Sequence, residues 1–212
     1  MRQPAIYSLT LLMMITTVLL SATACDAWSH RPDKWATRLY NYHFRNAYRV
    51  SDKLYRSAQP GLAAYRQFYK LGVRVSINLR GLAFNPAKLK VIGIRQVNIP
   101  VSAATLNIDQ VIAILKVIKD ADSPVLVHCE WGADRSGAIT AFYRIVFQGW
   151  SKEDAIDEMV NGGFGFHSRY QNLITLIRNA DIGLIKRRLE LDTAADKVGV
   201  SNVRQSMRRQ AA

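Results

Sequence analysis

Residues 125–137 read VLVHCEWGADRSG, and they join two different hydrophobic patterns. The first three residues follow Pro124 and form a short, continuous apolar run, which is typical of a buried strand. Residues 135–148 then show the longer apolar pattern of a buried helix. A tight loop that contains Gly132 therefore connects a strand to a helix, and α/β folds bind anions at this kind of connection.

Strand and helix patterns alternate along most of the chain. Strands are predicted at residues 53–56, 73–79, 94–99 and 125–127. Helices are predicted at residues 62–71, 107–119, 135–148, 151–161 and 169–180, with Asn107 as an N-cap and with Ser151 and Asp154 as a capping box. The segment with Gly81 and Pro86 is predicted to be a loop. This order predicts one α/β domain with a central, mostly parallel sheet of four to five strands, flanked by helices.

The composition allows one well-cored domain with short attachments. Of the 212 residues, 49% are hydrophobic and 21% are charged, which excludes a disordered chain and a many-pass membrane protein. The formal net charge of +13 fits a phosphorylated substrate, an anionic membrane surface or nucleic acid. Nucleic-acid binding is disfavoured, because the positive residues are scattered and no RNP, zinc-finger or basic-zipper pattern accompanies them.

Residues 1–24 are predicted to be an export signal. One arginine precedes an apolar core at residues 6–20, which is shorter than the ~20 residues that span a bilayer, and small residues follow it. Cleavage after Ala24 would release a periplasmic protein. Alternatively, residues 22–25 resemble a lipoprotein box with Cys25 as the lipidated residue, and Asp26 would then keep the protein at the inner membrane.

The remainder of the chain divides into three parts. Residues 25–50 are aromatic and polar without a clear period, and we predict a lead segment that lies on the domain. Residues 51–182 carry the periodic strand and helix patterns of the domain itself. Residues 183–212 are predicted to be a basic C-terminal tail, either a terminal helix or partly disordered.

The two cysteines have different roles in this interpretation. Cys25 would be removed, lipidated or left at the terminus, so Cys129 has no structural partner in an oxidising compartment. Convergent backbone N–H groups, the helix N-terminus and Arg135 would all favour a thiolate at Cys129. An unpaired cysteine in such a loop is therefore a candidate nucleophile.

A thiolate below a phosphate site can attack phosphorus in line and form a cysteinyl-phosphate. Arg135 can hold two nonbridging oxygens bidentately. Ser136 can donate to the sulfur when water later breaks the intermediate, and His128 is expected to fix the loop by hydrogen bonds. The substrate phosphate would be surrounded by Glu130, Trp131, Gly132, Ala133 and Gly137.

The pattern from His128 to Gly137, HCxxGxxRSG, resembles the signature of the cysteine-dependent protein tyrosine and dual-specificity phosphatases. The resemblance covers about residues 52–182, and LYRSAQP at 54–60 is similar to exported bacterial TpbA-type tyrosine phosphatases. It implies a dual-specificity phosphatase fold and hydrolysis of phosphotyrosine, and also of phosphoserine or phosphothreonine, in proteins. No metal and no cofactor is expected, because the histidines outside the motif lack metal-ligand spacing: His30, His43 and His167.

The sequence departs from this family at the expected general acid. The resemblance implies an aspartate on the loop after the strand that ends near Pro100, but residues 101–106 read VSAATL. Asp109 lies inside a predicted helix. We therefore predict that Asp134 protonates the leaving oxygen, since a dianionic substrate beside it would favour its protonated form. The alternatives are that Asp134 caps the following helix or orients Arg135.

The remaining alternatives concern the ligand. Glu130 is expected to face solvent and to repel inositol polyphosphates, which favours monophosphate esters such as phosphotyrosine. Trp131 either packs on a substrate ring or is a partly buried loop residue. A phosphatase of phosphoinositides or other small phosphoesters stays open, as does a non-catalytic phosphoprotein-binding module. Sulfur transfer of the rhodanese type is disfavoured by the Cys-to-Arg spacing.

Overall fold

The computed structural model describes residues 31–82 and 86–190. The predicted export signal, Cys25 and the end of the predicted tail lie outside these residues. Residues 31–35 belong to a separate compact unit, in which the Trp35 N–H donates to the Pro32 carbonyl at 2.9 Å. The fold described below begins at Ala36.

The described residues contain six strands and seven α-helices. The strands are β1 (Thr37–Arg38), β2 (Tyr48–Arg49), β3 (Leu54–Ser57), β4 (Val75–Asn78), β5 (Arg95–Asn98) and β6 (Val125–His128). The helices are α1 (Leu62–Lys70), α2 (Pro86–Ile92), α3 (Ile108–Asp120), α4 (Asp134–Gln148), α5 (Lys152–Asn161), α6 (Gln171–Asn179) and α7 (182–190). A 3₁₀ turn at Ser168–Tyr170 precedes α6.

All strands lie in one sheet of order β1-β2-β3-β6-β4-β5. The four strands β3, β6, β4 and β5 are parallel, and β1 and β2 add an antiparallel edge. The α/β architecture is therefore confirmed, but the sheet is larger than the predicted four to five strands. The two additional strands have two residues each, which is too short for a period of two to show in the sequence.

The domain is longer at both ends than the sequence predicts. The segment at 36–50, predicted to lie on the domain, contributes β1, β2 and buried side chains such as Tyr48 and Val50 to the main core. At the other end, α7 buries Ile185 and Leu189 in the same core, although it falls in the predicted tail. The structure thus places residues 36–190 in the domain.

The sheet separates two hydrophobic layers. Val125 and Val127 of β6 face the main core, whereas Leu126 faces a smaller cluster under α1 and α2. The alternation follows from the pleat of the strand. Helix α4 runs through the main core and is buried at nearly every position. No helix in the described part of the chain is long and apolar enough to cross a membrane.

The predicted N-caps Asn107 and Ser151 are confirmed, with one of the two hydrogen bonds of the predicted Ser151–Asp154 capping box, and one helix was missed. Asn107 and Gln110 form a capping box at α3, and the Ser151 hydroxyl accepts from the Asp154 N–H at α5. Helix α2 was predicted as a loop, because only Leu89 among its residues 87–92 is buried and no apolar period marks it. Its sequence signal is a proline at the first helical position.

A buried ion pair fixes α5 against α4. The guanidinium of Arg144 donates from Nε and Nη2 to the two carboxylate oxygens of Glu158, at 2.8 and 2.7 Å. Both side chains are at most 4% exposed. The Glu158 carboxylate also accepts from the Ala36 N–H at 2.6 Å, so the first residue of the fold is tied to the same pair. This arrangement holds the helix that begins at the anion-binding loop.

Candidate active site

The loop at residues 129–133 connects β6 to α4 and packs directly on the end of β3. Gly132 has a φ of +71°, and a Cβ atom there would lie 2.4 Å from the Ala58 nitrogen and 2.6 Å from the Ser57 carbonyl carbon. Real side chains do not tolerate such distances, so only glycine permits this contact. We call residues 129–135 the phosphate loop.

The carbonyl groups of the phosphate loop point away from its centre. Arg56 is fully buried below the loop, and its Nη2 donates to the Gly132 carbonyl at 2.7 Å and to the Ala133 carbonyl at 3.1 Å. The Gln59 N–H donates to the Glu130 carbonyl at 3.2 Å. Because the C=O and N–H of a trans peptide point in opposite directions, the N–H groups of the same peptides face the interior, where an anion binds.

Cys129 lies at the base of this loop. It is 2% exposed, and its Sγ is 3.4 Å from the Oγ of buried Ser136. The N-terminus of α4 is directed at the same place, and its partial positive charge stabilises an anion there. The structure therefore brings the predicted nucleophile and the predicted sulfur donor together.

Arg135 closes one side of a cavity of about 400 Å³. Its Nη1 donates to the carbonyls of Leu79 and Val101, at 3.2 and 3.4 Å. Within the described residues, the Arg135 guanidinium makes no other hydrogen bond. Its other guanidinium nitrogens can therefore bind substrate oxygens. The cavity is lined by Val101, Ser102, Ala103, Glu130, Trp131, Asp134, Arg135, Arg169 and Tyr170.

Asp134 lies in the cavity wall and is held by His167, which the sequence analysis did not connect with the site. The Asp134 Oδ1 accepts from the His167 backbone N–H at 2.9 Å, and His167 Nδ1 is 2.9 Å from Oδ2. Ala133 precedes the helix without a side-chain cap bond. Within the described residues, Asp134 makes neither a cap nor an ion pair with Arg135, so its role as the acid stays a prediction.

The other candidate acid is excluded by its position. Asp109 lies on α3, where its Oδ1 is 2.5 Å from Nη1 of Arg188 on α7. It does not line the cavity. The loop after β5 contributes Val101, Ser102 and Ala103 to the cavity wall, and none of these can act as a carboxylic acid.

Two side chains of the phosphate loop define the entrance. Glu130 is partly exposed, as predicted, but its Oε2 is also 2.5 Å from Nη2 of Arg80. This pairing partly neutralises the carboxylate, so its repulsion of polyphosphates is weaker than the sequence analysis assumed. Trp131 is 57% exposed at the rim of the cavity, so its ring can contact an aromatic substrate.

His128 supports the loop from the end of β6. The ring is fully buried, and its Nε2 is 3.0 Å from the hydroxyl of Tyr65. Burial lowers the pKa of His128 to about 3, with a smaller contribution from the positive charge of Arg80. Burial also raises the pKa of Tyr65 to about 12. Both groups are therefore neutral at pH 7, which suits a structural hydrogen bond rather than proton transfer.

The comparison with family models decides the assignment, because the model "dual specificity phosphatase, catalytic domain" matches residues 54–175. The chain belongs to the dual specificity phosphatase family. This confirms the predicted family and the predicted class of enzyme. Within residues 31–82 and 86–190, no three His, Cys, Asp or Glu side chains are grouped as metal ligands.

Among the relatives of this dual specificity phosphatase are a bacterial enzyme and a plant enzyme. The dual specificity protein phosphatase TpbA of Pseudomonas aeruginosa is 30% identical over 190 residues, which are 88% of this chain and 83% of TpbA. The inositol diphosphatase DSP5 of Arabidopsis thaliana is 31% identical over 120 residues, 51% of this chain and 57% of that protein.

A solved structure agrees with the fold. The crystal structure of P. aeruginosa TpbA superposes with a TM-score of 0.68 at 31% identity, covering 76% of this chain and 99% of TpbA. A cysteine-to-serine variant of TpbA in complex with phosphotyrosine superposes with the same TM-score of 0.68 at 30% identity and the same coverage.

The low pKa of His128 makes stability depend on pH. Its folded pKa of about 3 lies below its ordinary value of 6.5, so the unfolded chain binds this proton more readily. The stabilisation of the folded state by neutral His128 is therefore complete above pH 6.5 and is lost as pH falls toward 3. The free energy of unfolding falls by at most about 1.4 kcal/mol per pH unit in this range. Urea unfolding between pH 7.5 and 4 should show a steeper loss for the parent than for His128→Gln. Parallel curves would contradict the assignment.

Proposed function

We propose that this chain removes phosphate from phosphotyrosine, and also from phosphoserine or phosphothreonine, through a cysteinyl-phosphate intermediate and without a metal ion. The observation that carries the proposal is the position of the Cys129 sulfur at the base of a loop whose carbonyls are held outward, with Arg135 in the first turn of the helix that follows the loop. This arrangement supports binding of a phosphate dianion in front of the sulfur. A binding module does not need a nucleophile at that point.

The first chemical step is an in-line displacement at phosphorus. The Cys129 thiolate forms an S–P bond, and the bond between phosphorus and the leaving oxygen breaks. Arg135 and the loop N–H groups hold the nonbridging oxygens as their charge spreads. We assign the proton that the leaving oxygen takes up to Asp134, whose carboxyl group lines the same cavity as Arg135.

The second step releases inorganic phosphate. Water forms a new P–O bond, the S–P bond breaks, and the electron pair of that bond returns to the Cys129 sulfur. Ser136 Oγ, at 3.4 Å from Sγ, can donate a hydrogen bond to the departing thiolate. Asp134, deprotonated by the first step, can accept the proton of the attacking water.

Phosphotyrosine is the substrate class that the cavity favours. Two aromatic side chains, Trp131 and Tyr170, line it, and a phenyl ring can pack between them. TpbA binds phosphotyrosine in a crystal structure, which supports the same class here. Small phosphoesters are the second candidate, because the Arg80–Glu130 pair removes part of the negative charge at the entrance and the similar DSP5 is an inositol diphosphatase.

The direct test is hydrolysis of p-nitrophenyl phosphate, a phosphotyrosine peptide and an inositol polyphosphate in the presence of EDTA. We expect the parent to hydrolyse the first two substrates, and Cys129→Ser to lose activity by at least about 10³-fold because a serine hydroxyl is a far weaker nucleophile at neutral pH. Arg135→Lys should also lose activity, since lysine cannot bind two oxygens bidentately.

Two outcomes would contradict this proposal. An inactive parent under reducing conditions would favour the binding-module alternative. A parent that hydrolyses the inositol polyphosphate with a higher kcat/KM than the phosphotyrosine peptide would favour the second candidate.

The effect of replacing Asp134 should depend on the leaving group of the substrate. Asp134→Asn should lower kcat/KM for an alkyl phosphate by about 10²-fold or more, because an alkoxide needs a proton in order to leave. The loss on p-nitrophenyl phosphate should be much smaller, since p-nitrophenolate leaves without one. His167→Ala serves as a matched variant that removes only the imidazole bonded to Asp134. Equal losses of Asp134→Asn on both substrates would exclude Asp134 as the acid.

We further propose that the enzyme is exported to the periplasm, where it is either released by cleavage after Ala24 or attached to the inner membrane by a lipidated Cys25. The support is the sequence pattern of residues 1–26, which lies outside the described residues. Fractionation of a Gram-negative host decides between the two: a lipidated parent is found in the inner membrane and moves to the soluble periplasm with Cys25→Ala. A parent found in the soluble periplasm would show cleavage without lipidation.

A further inference from the structure

Asn46 has an unusual backbone conformation close to the phosphate loop. It lies between β1 and β2 and has a φ of +49°. Among residues 31–82 and 86–190, every other residue with a positive φ is a glycine. Asparagine tolerates this left-handed region better than most residues. The conformation directs its side chain away from its own segment and toward two loops of the active site.

The carboxamide of Asn46 joins these two loops. Its Nδ2 donates to the Trp131 carbonyl at 2.7 Å and to the Phe164 carbonyl at 2.8 Å. Trp131 belongs to the phosphate loop, and Phe164 lies on the loop between α5 and the 3₁₀ turn. One amide nitrogen carries two hydrogens, so both are used.

This contact completes the set of outward carbonyls in the phosphate loop. Gln59 and Arg56 hold the carbonyls of Glu130, Gly132 and Ala133, and Asn46 holds that of Trp131. With the Trp131 carbonyl directed outward, the N–H of the same peptide, that of Gly132, faces the anion site. A rotated peptide would instead place a carbonyl oxygen beside the substrate phosphate, which is repulsive.

The second contact of Asn46 supports the same loop indirectly. The ring of Phe164 lies 3.8 Å from the guanidinium carbon of Arg56, in a cation–π contact. Arg56 is the residue that binds the carbonyls of Gly132 and Ala133. By holding the backbone of Phe164, Asn46 therefore also holds the ring against which Arg56 packs.

We propose that Asn46 is a positioning residue of this phosphatase, which keeps the phosphate loop in its anion-binding conformation without touching the substrate. The inference rests on the proposed phosphatase activity. It assigns a catalytic contribution to a segment that the sequence analysis placed outside the domain. Its effect is on the binding of the phosphate oxygens in both chemical steps, and it is therefore independent of the leaving group.

Two substitutions separate the side chain from the backbone. Asn46→Gly retains the positive φ without strain and removes both donated hydrogen bonds. Asn46→Asp retains the size of the side chain and the tolerance for a positive φ, but it places a carboxylate oxygen against two carbonyl oxygens. Asn41→Asp is the matched control, because Asn41 is exposed and, within the described part of the chain, its side-chain oxygen accepts from the His43 N–H alone.

The experiment measures kcat and KM on p-nitrophenyl phosphate and on an alkyl phosphate for the full chain. We expect kcat to fall by about 10- to 100-fold in both Asn46 variants, the range seen when outer partners of a site are removed. The fall should be the same on both substrates. Asn41→Asp should stay within about twofold of the parent, the level of an ordinary surface change.

A second readout does not depend on turnover. In a Cys129→Ser background, tungstate binding by calorimetry should weaken by about tenfold or more with Asn46→Gly, since the misplaced N–H groups bind any tetrahedral oxyanion less well. Thermal unfolding of each variant gives the fraction folded at the assay temperature. A parent that binds tungstate but lacks activity would count against the proposed function and not against this inference.

Three results would overturn the role of Asn46. One is a kcat and a tungstate affinity of Asn46→Gly that stay within about twofold of the parent. A second is a loss that disappears when rates are expressed per folded molecule, because the residue would then serve stability alone. An unequal loss on the two substrates would also overturn it, since that pattern belongs to the general acid.

Discussion

The active site depends on one property of the peptide group, which is that its N–H and its C=O point in opposite directions. A loop that binds an anion through its N–H groups must place its carbonyls on the outside, and buried carbonyls need donors. In this protein the donors come from outside the loop: the backbone of Gln59 and the side chains of Asn46 and Arg56. All of them lie in the first third of the domain.

The sheet order is what places these donors. Strand β3 pairs in parallel with β6, and the register sets Arg56 opposite Val127 and Ser57 opposite His128. The end of β3 is therefore beside the phosphate loop, and the missing side chain of Gly132 allows the two backbones to touch. Adding β1 and β2 to the sheet then places Asn46 at the same edge. The short edge strands β1 and β2 therefore contribute to the site, because they position Asn46.

Features that depend on local spacing could be predicted from the sequence. One example is the grouping of Cys129, Arg135 and Ser136, which the sequence predicts from a strand, a turn glycine and a helix in succession. Residues a few positions apart at the start of a helix have a fixed relative geometry. Arg56, Asn46 and His167 could not be found in this way. Their contacts with the loop and the first turn of α4 bridge 76, 85 and 33 residues of sequence, and nothing in a single chain reports such pairs. Likewise, β1 and β2 are too short to show a period, and among residues 87–92 of α2 only Leu89 is buried.

Because the loop after β5 has no carboxylate, the general acid must come from another element. In that region the chain supplies the Val101 carbonyl, which accepts from Arg135, together with two small side chains of the cavity wall. An acid at Asp134 would instead lie on the first turn of α4, next to Arg135 in sequence and bonded to the backbone and ring of His167. It would thus belong to the same rigid element as the groups that bind phosphate, because α4 is buried along nearly its whole length. An acid in this position would not depend on the movement of a separate acid-bearing loop, and its proton would matter most for phosphoesters with a poor leaving group.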